Sequence, residues 1–226
     1  MRKLLVTLVV LGALFVGLDR VALVLAERAV AAQAQTSGGL ATAPDVAIAG
    51  FPFLTQVLRG SLDDVRVSAA DVRRGDARLT SFAAELRDVQ VSLSDAVGGR
   101  ITAVPVSAIT ATALLSYADL AAAHGRGLVV TSAGDGLVRV TGTVTVLGRS
   151  VSASAVSSVR LDGRFVVVTA QRIEVGGGSV GTAGLGGRLD LRVPIGTLPY
   201  GLLLTGLTAD AGGLTLTARS GPTILR

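Results

Sequence analysis

The stretch from Gly127 to Val175 reads GLVVTSAGDGLVRVTGTVTVLGRSVSASAVSSVRLDGRFVVVTAQRIEV. Val138, Val140, Gly142, Val144 and Val146 alternate with Arg139, Thr141, Thr143 and Thr145, and a side-chain period of two sends one set to each face of a strand. Gly134-Asp135-Gly136, Gly148-Arg149-Ser150 and Asp162-Gly163 interrupt the run with residues that tolerate positive φ, so consecutive strands fold back as hairpins. The pattern predicts an antiparallel meander. Its apolar face consists of Val, Ala, Gly and Leu with almost no aromatics. A face that broad and smooth has to be covered, and what covers it is the functional question.

Composition narrows the classes. Half of the 226 residues are hydrophobic, enough for a substantial core in one β-rich domain. Only 16% of residues are charged and the mean hydropathy is +0.62, so some apolar surface is expected to serve a ligand or a membrane. The absence of Cys excludes disulfides, thiolate chemistry and a lipid-modified cysteine. The net charge is +5. Arg2, Lys3, Arg20 and Arg28 against Asp19 and Glu27 account for two of those charges in residues 1–35, and the remainder is only mildly basic. With five Phe, two Tyr and no Trp, stacking platforms for nucleic acid are missing too, and no nucleic-acid partner is expected.

The first residues read as an export signal or a membrane anchor. Arg2-Lys3 form a positive start and Leu4 to Leu18 an apolar run of 15 residues, the order of a secretory signal. Asp19 and Arg20 interrupt the run, and Val21 to Leu25 resume it. Ala29-Val30-Ala31 and Ala32-Gln33-Ala34 offer small residues to a signal peptidase, whereas a helix retained as an anchor tolerates a charged pair near its end. Both outcomes stay open, and both put the remainder on the extracytoplasmic side of the cytoplasmic membrane. The expected organisation is residues 1–35 as signal peptide or anchor and 36–226 as a single β-rich domain.

Further along, Asp45 to Ala49 is a short strand. Gly50-Phe51-Pro52-Phe53-Leu54-Thr55-Gln56-Val57-Leu58-Arg59-Gly60 is a turn leading into about two turns of helix. Strands follow over 62–70 and 77–93, where interleaved Arg, Asp and Glu read as a solvated face. Residues 101–115 are extended, and Ser116-Tyr117-Ala118-Asp119 is a capping box opening a short helix. After the meander, the glycine-rich stretch from Gly176 to Gly187 reads as a flexible loop; its GxGxxG spacing precedes no helix on which a pyrophosphate could sit. A strand over 188–193 and a hairpin of 202–209 with 214–218 close the chain.

Chemistry is sparse. His124 is the single histidine, so no His-based metal cluster can form. No G-x-S-x-G elbow is present, and adjacent carboxylates such as Asp63-Asp64 point to opposite faces of a strand, unsuited to acting on one substrate. The residues point to a protein that is not an enzyme and needs no metal or cofactor.

GFPFLTQ at 50–56, SYADL at 116–120, RVTGTVTVLGR at 139–149 and LPYGLLLT at 198–205, in this order behind an apolar N-terminal run, resemble the LmeA-like phospholipid-binding family of bacterial cell-envelope proteins. The resemblance implies an α+β fold like that of the tubular lipid-binding proteins, a curved antiparallel sheet wrapped around or against a few helices. It also implies binding of phospholipid, phosphatidylinositol in the characterised case, and support of lipoglycan (mannan) elongation by a membrane glycosyltransferase. Read with the residues, it gives a candidate lipid site: Phe51, Phe53, Leu54 and Leu58 at an apolar mouth, Arg59 for the phosphate, and Tyr117, Val140 and Val144 along the apolar face. The competing reading is an anchored structural or interaction β-domain whose apolar face is covered by its own elements and holds no lipid.

Overall fold

The computed structural model describes residues 2–38, 40–74, 77–92, 103–124, 127–146, 149–175, 178–180, 190–195 and 198–225. In chain order these are α1 (Arg2–Gly38), β1 (Asp45–Ala49), α2 (Phe53–Arg59), β2 (Ser61–Arg74), β3 (Ala77–Gln90), β4 (Val104–Val106) and β5 (Ala108–Leu115). They continue as α3 (Tyr117–His124), β6 (Val129–Gly134), β7 (Leu137–Val146), β8 (Arg149–Asp162), β9 (Phe165–Val175) and β10 (Gly178–Val180). β11 (Leu191–Pro194), a 3-10 turn at Pro199–Gly201, β12 (Leu203–Ala209), β13 (Leu214–Ser220) and β14 (Thr223–Leu225) complete the fold. It is α+β with antiparallel sheets, as the alternating patterns predict. One sheet has the order β1-β2-β3-β5-β13-β12, a second β10-β9-β8-β7-β6 with β11 also on β9, and β14 pairs β4.

The chain forms two compact units, one of Met1–Ala69, Ala83–Thr110 and Ser220–Arg226, the other of Ala70–Phe82 and Ala111–Arg219. The second holds the meander. β6 through β9 pair in sequence, each antiparallel to the next, with Val140 opposite Ala155 and Ala155 opposite Ile173. Asp135 and Gly136 both take positive φ, 50° and 73°, which lets a two-residue turn follow the twist of its strands. Gly163 does the same at 58°. The turn expected at Gly148 lies outside the described residues. So does most of the glycine-rich stretch, although Gly178–Val180 forms a strand on β9, where a loop was expected over its whole length.

The apolar face of the meander carries the core of this unit. Val138, Val140, Val166, Val168 and Leu191 have no exposed surface and cluster with Leu115, Tyr117, Leu120, Leu214 and Leu216. A neighbouring cluster on the same sheet is built of Ala153, Ala155, Ala170 and Ile173. α3 packs against β6 and β11. It is opened by Ser116, whose Oγ accepts from the Asp119 N–H at 3.1 Å, the N-cap half of the expected capping box, while the Asp119 carboxylate accepts the Ser116 hydroxyl at 2.6 Å. Tyr117 and Leu120 face inward from it. The polar face is the solvated one: Arg139 pairs with Glu174 at 3.4 Å, both side chains about half exposed.

The last hairpin is held against α3 by one tight approach. Tyr117 donates its hydroxyl to the Asp210 carbonyl at 2.5 Å, and Gly213 follows at φ 148°. A Cβ at Gly213 would stand 2.4 Å from the Leu115 carbonyl oxygen, and backbone cannot move aside as a flexible side chain would. Gly213→Ala is therefore expected to destabilise the protein by about 2 kcal/mol or more, read as a fall in the thermal midpoint. An unchanged midpoint would contradict the geometry.

Candidate functional site

The first unit is organised by α1. All residues from Arg2 to Leu18 are exposed, Leu4 at 76%, and then the helix meets the body of the unit. Asp19 has no exposed surface and Leu23, one turn on, is 9% exposed. The carboxylate of Asp19 is buried because α2 needs it. α2 begins after Pro52, which makes no side-chain capping bond, so its first amides have no local acceptor. Asp19 Oδ1 accepts the Leu54 N–H at 2.8 Å, an anionic cap at the positive end of a helix. Its Oδ2 accepts from the Arg20 guanidinium at 2.7 Å, which lies 5.0 Å from the centre of the Phe51 ring.

Two more contacts run up the same helix. Glu27 Oε1 accepts the Ile48 N–H at 2.9 Å, and Gln35 donates to the Ala41 carbonyl at 3.5 Å. Ascending α1 from 19 to 27 to 35 thus descends the partner segment from 54 to 48 to 41, and the two run antiparallel. α2 is fixed to the strands by Gln56, which is 3% exposed. Its amide donates to the Ala49 carbonyl at 3.1 Å and accepts the Asp63 N–H at 3.0 Å. Gly50 makes room for it: at φ 99° a Cβ would fall 2.4 Å from the Gln56 amide nitrogen. The GFPFLTQ motif is in this sense a docking motif, with Gly50 and Gln56 interlocked and the Leu54 amide offered to α1.

The residues singled out from the sequence fall into both units. In the first, Phe51 and Leu58 are 62% and 73% exposed, Phe53 is buried at 6%, and Leu54 is half-buried. Arg59 is exposed and pairs with Asp63 at 3.3 Å. In the second, Tyr117 and Val140 are in the core cluster, and the side chain of Val144 lies outside the described residues. Burial pushes the Tyr117 phenol up from its ordinary pKa, the Ser132 hydroxyl opposes this and the Asp210 charge adds to it; Tyr117 is a neutral donor to Asp210. Apolar surface is offered by Phe51 and Leu58, whereas Val140 is enclosed by protein.

Asp19, Glu27 and Gln56 were not singled out from the sequence. The signal was available in Asp19: an acid inside an apolar run has to find donors somewhere, and α2 has amides without a cap. Among the described residues no group of His, Asp and Glu is arranged to hold a metal, and the side chain of His124 lies outside them. α1 is long and apolar enough to cross a membrane by length and composition, with hydropathy 2.3 in its most apolar window. The family model described as LmeA-like phospholipid-binding matches residues 17–219. No curated protein and no solved structure matches the chain.

The α1–α2 cap gives a direct expectation. Asp19→Ala should raise hydrogen exchange at the Leu54 amide roughly tenfold, while Asp19→Asn, which keeps an acceptor oxygen, should raise it less. Equal protection in parent and Ala variant would mean that the contact does not hold α2.

Proposed function

Because the chain belongs to the LmeA-like phospholipid-binding family, we propose that it is a non-catalytic phospholipid-binding protein of the bacterial envelope. In this reading α1 is a retained anchor in the cytoplasmic membrane and the folded units lie on its extracytoplasmic side. The observation that carries the reading is where the family match starts. It begins at residue 17, inside α1 and two residues ahead of Asp19. Removal of a leader after Ala31 or Ala34 would take away Asp19, Leu23 and Glu27, and with them the cap of α2 and the bond to β1. Eleven large apolar side chains between Leu4 and Leu18 are exposed. At about 1.5–3 kcal/mol each, leaving them in water costs tens of kcal/mol, which supports an apolar surround for this helix. A role in lipoglycan elongation beside a membrane glycosyltransferase rests on the family resemblance alone.

The lipid contact we propose is the α2 end of the first unit: Phe51, Leu54 and Leu58 toward acyl chain, with Arg59 next to the phosphate. Each buried methylene contributes about 0.8 kcal/mol, so part of one chain suffices for micromolar binding. The second reading, an anchored module without lipid, is favoured by the enclosure of Val138 and Val140 in the core cluster, where protein already covers the apolar face.

Native mass spectrometry of the full chain from mild detergent separates the two. The parent is expected to carry phospholipid. Leu58→Asp, at a position exposed enough to spare the fold, is expected to lose it, and Arg59→Ala to bind more weakly with blunted preference for anionic lipid. A lipid-free parent favours the structural module. Undiminished binding by Leu58→Asp moves the contact elsewhere, and a chain found in cells without residues 1–31 or 1–34 ends the retained-anchor reading.

A further inference from the structure

We propose that the segment from Phe51 to Leu58 lies in the interface of the same bilayer that α1 crosses, so that lipid reaches the protein sideways from the membrane. Phe51 and Leu58 sit at the acyl boundary, with the Arg20 guanidinium over the Phe51 ring. The inference rests on the anchored, lipid-binding reading above and adds where the folded unit meets the membrane. Its partner is a phospholipid surface.

The length of α1 carries the argument. The uninterrupted run Leu4 to Leu18 spans about 22 Å at about 1.5 Å per residue, against a hydrocarbon core of about 30 Å. The missing length is about five residues, so the apolar phase has to extend beyond Arg20. On one side α1 is suited to this: Val21, Val24 and Leu25 are 59%, 42% and 59% exposed, and they follow one another at helical spacing on one face. Arg28, exposed on the next turn, ends that apolar strip. On the other side, at the same depth, Asp19 and Leu23 are buried. A carboxylate at that depth is tolerable only where protein covers it, and the cover is α2, whose Leu54 amide is bonded to it.

α2 is thereby placed beside the part of α1 that must enter the interface, and the antiparallel course of the two segments puts residues 51–54 at the membrane end. The outward side of this segment suits the location. Phe51 and Leu58 are the exposed large apolar side chains in it, and the exposed Thr55 returns its hydroxyl to the Pro52 carbonyl at 2.8 Å, so it presents no unmet donor. Arg20, its side chain 46% exposed, lies over the Phe51 ring and is paired with the buried Asp19 carboxylate at 2.7 Å, so its charge is compensated where this segment meets the acyl region.

The chain contains no Cys, which makes single-cysteine labelling direct. Leu14→Cys, Phe51→Cys, Leu58→Cys and Ser68→Cys, all at exposed positions, are labelled with an environment-sensitive fluorophore. The full chain is then reconstituted in phosphatidylglycerol–phosphatidylcholine vesicles. Quenching by nitroxide carried on lipid and by iodide in water is compared. Ser68 is the control, since it pairs with Asp45 at the end of β1 remote from Ala49. The expected result is strong lipid quenching and weak iodide quenching at 14, 51 and 58, and the reverse at 68. Lipid quenching at 14 with iodide access at 51 and 58 overturns the interfacial segment and leaves the anchor intact. Shielding of 51 and 58 from both quenchers means that protein covers them and overturns it equally. Iodide access at 14 removes the anchor and the inference with it, and phospholipid carried by the same samples in native mass spectrometry tells whether lipid binding survives.

Discussion

A carboxylate with no exposed surface on an otherwise apolar helix has to be satisfied from outside that helix, because the turns around it have already paired their own amides. Asp19 meets this condition by taking the Leu54 N–H and the Arg20 guanidinium, and the requirement is mutual, since α2 has no cap of its own. From this exchange the arrangement of the first unit follows. α1 is aligned against residues 41–54, Gln56 carries the alignment on into β1 and β2, and Phe51 and Leu58 are turned outward. The charged pair that breaks the apolar run is therefore the joint between helix and body.

The second unit is governed by a different economy of side chains. Its meander presents Val, Ala and Gly in register, rungs such as Val140, Ala155 and Ile173, and a surface of that profile accepts close approach by backbone and by aliphatic neighbours alike. Here Leu120 from α3, Leu191 from β11 and Leu214 and Leu216 from β13 fill it. Aromatics are scarce because strands and one short helix interlock through branched aliphatics. Scarcity of aromatics is thus compatible with a packed protein core as well as with an acyl chain, and at Val140 it is the core.

Much of this was legible in the residues. Alternation specified β6 through β9 and positive-φ residues the turns at Asp135-Gly136 and Gly163, the Ser116–Asp119 spacing specified the start of α3, and Gly60 the end of α2, because each is a local rule acting on neighbours in sequence. The four family motifs identified the family that residues 17–219 match. The joint at Asp19 was not legible: it links residues 35 positions apart, and nothing in the run from Leu4 to Leu25 says which backbone a buried carboxylate will find. For the same reason Gln56 reads from the sequence as an ordinary polar helix residue, while its position between two strand backbones makes it a lock.

β14 pairs with β4, residues 223–225 against 104–106, and this small ribbon has a consequence for how the molecule comes to be folded. One segment of the second unit, Ala70–Phe82, precedes β4, while the unit's long contiguous part, Ala111–Arg219, is strung between the two strands of the ribbon. Its contacts are mostly between consecutive hairpins, the low-separation kind that form fast. The ribbon has to close a loop of more than a hundred residues before it gains a hydrogen bond, and loop closure of that kind comes late. Topology thus separates the contacts by loop length: the hairpins of the meander join neighbours in sequence, whereas the β4–β14 ribbon joins strands more than a hundred residues apart.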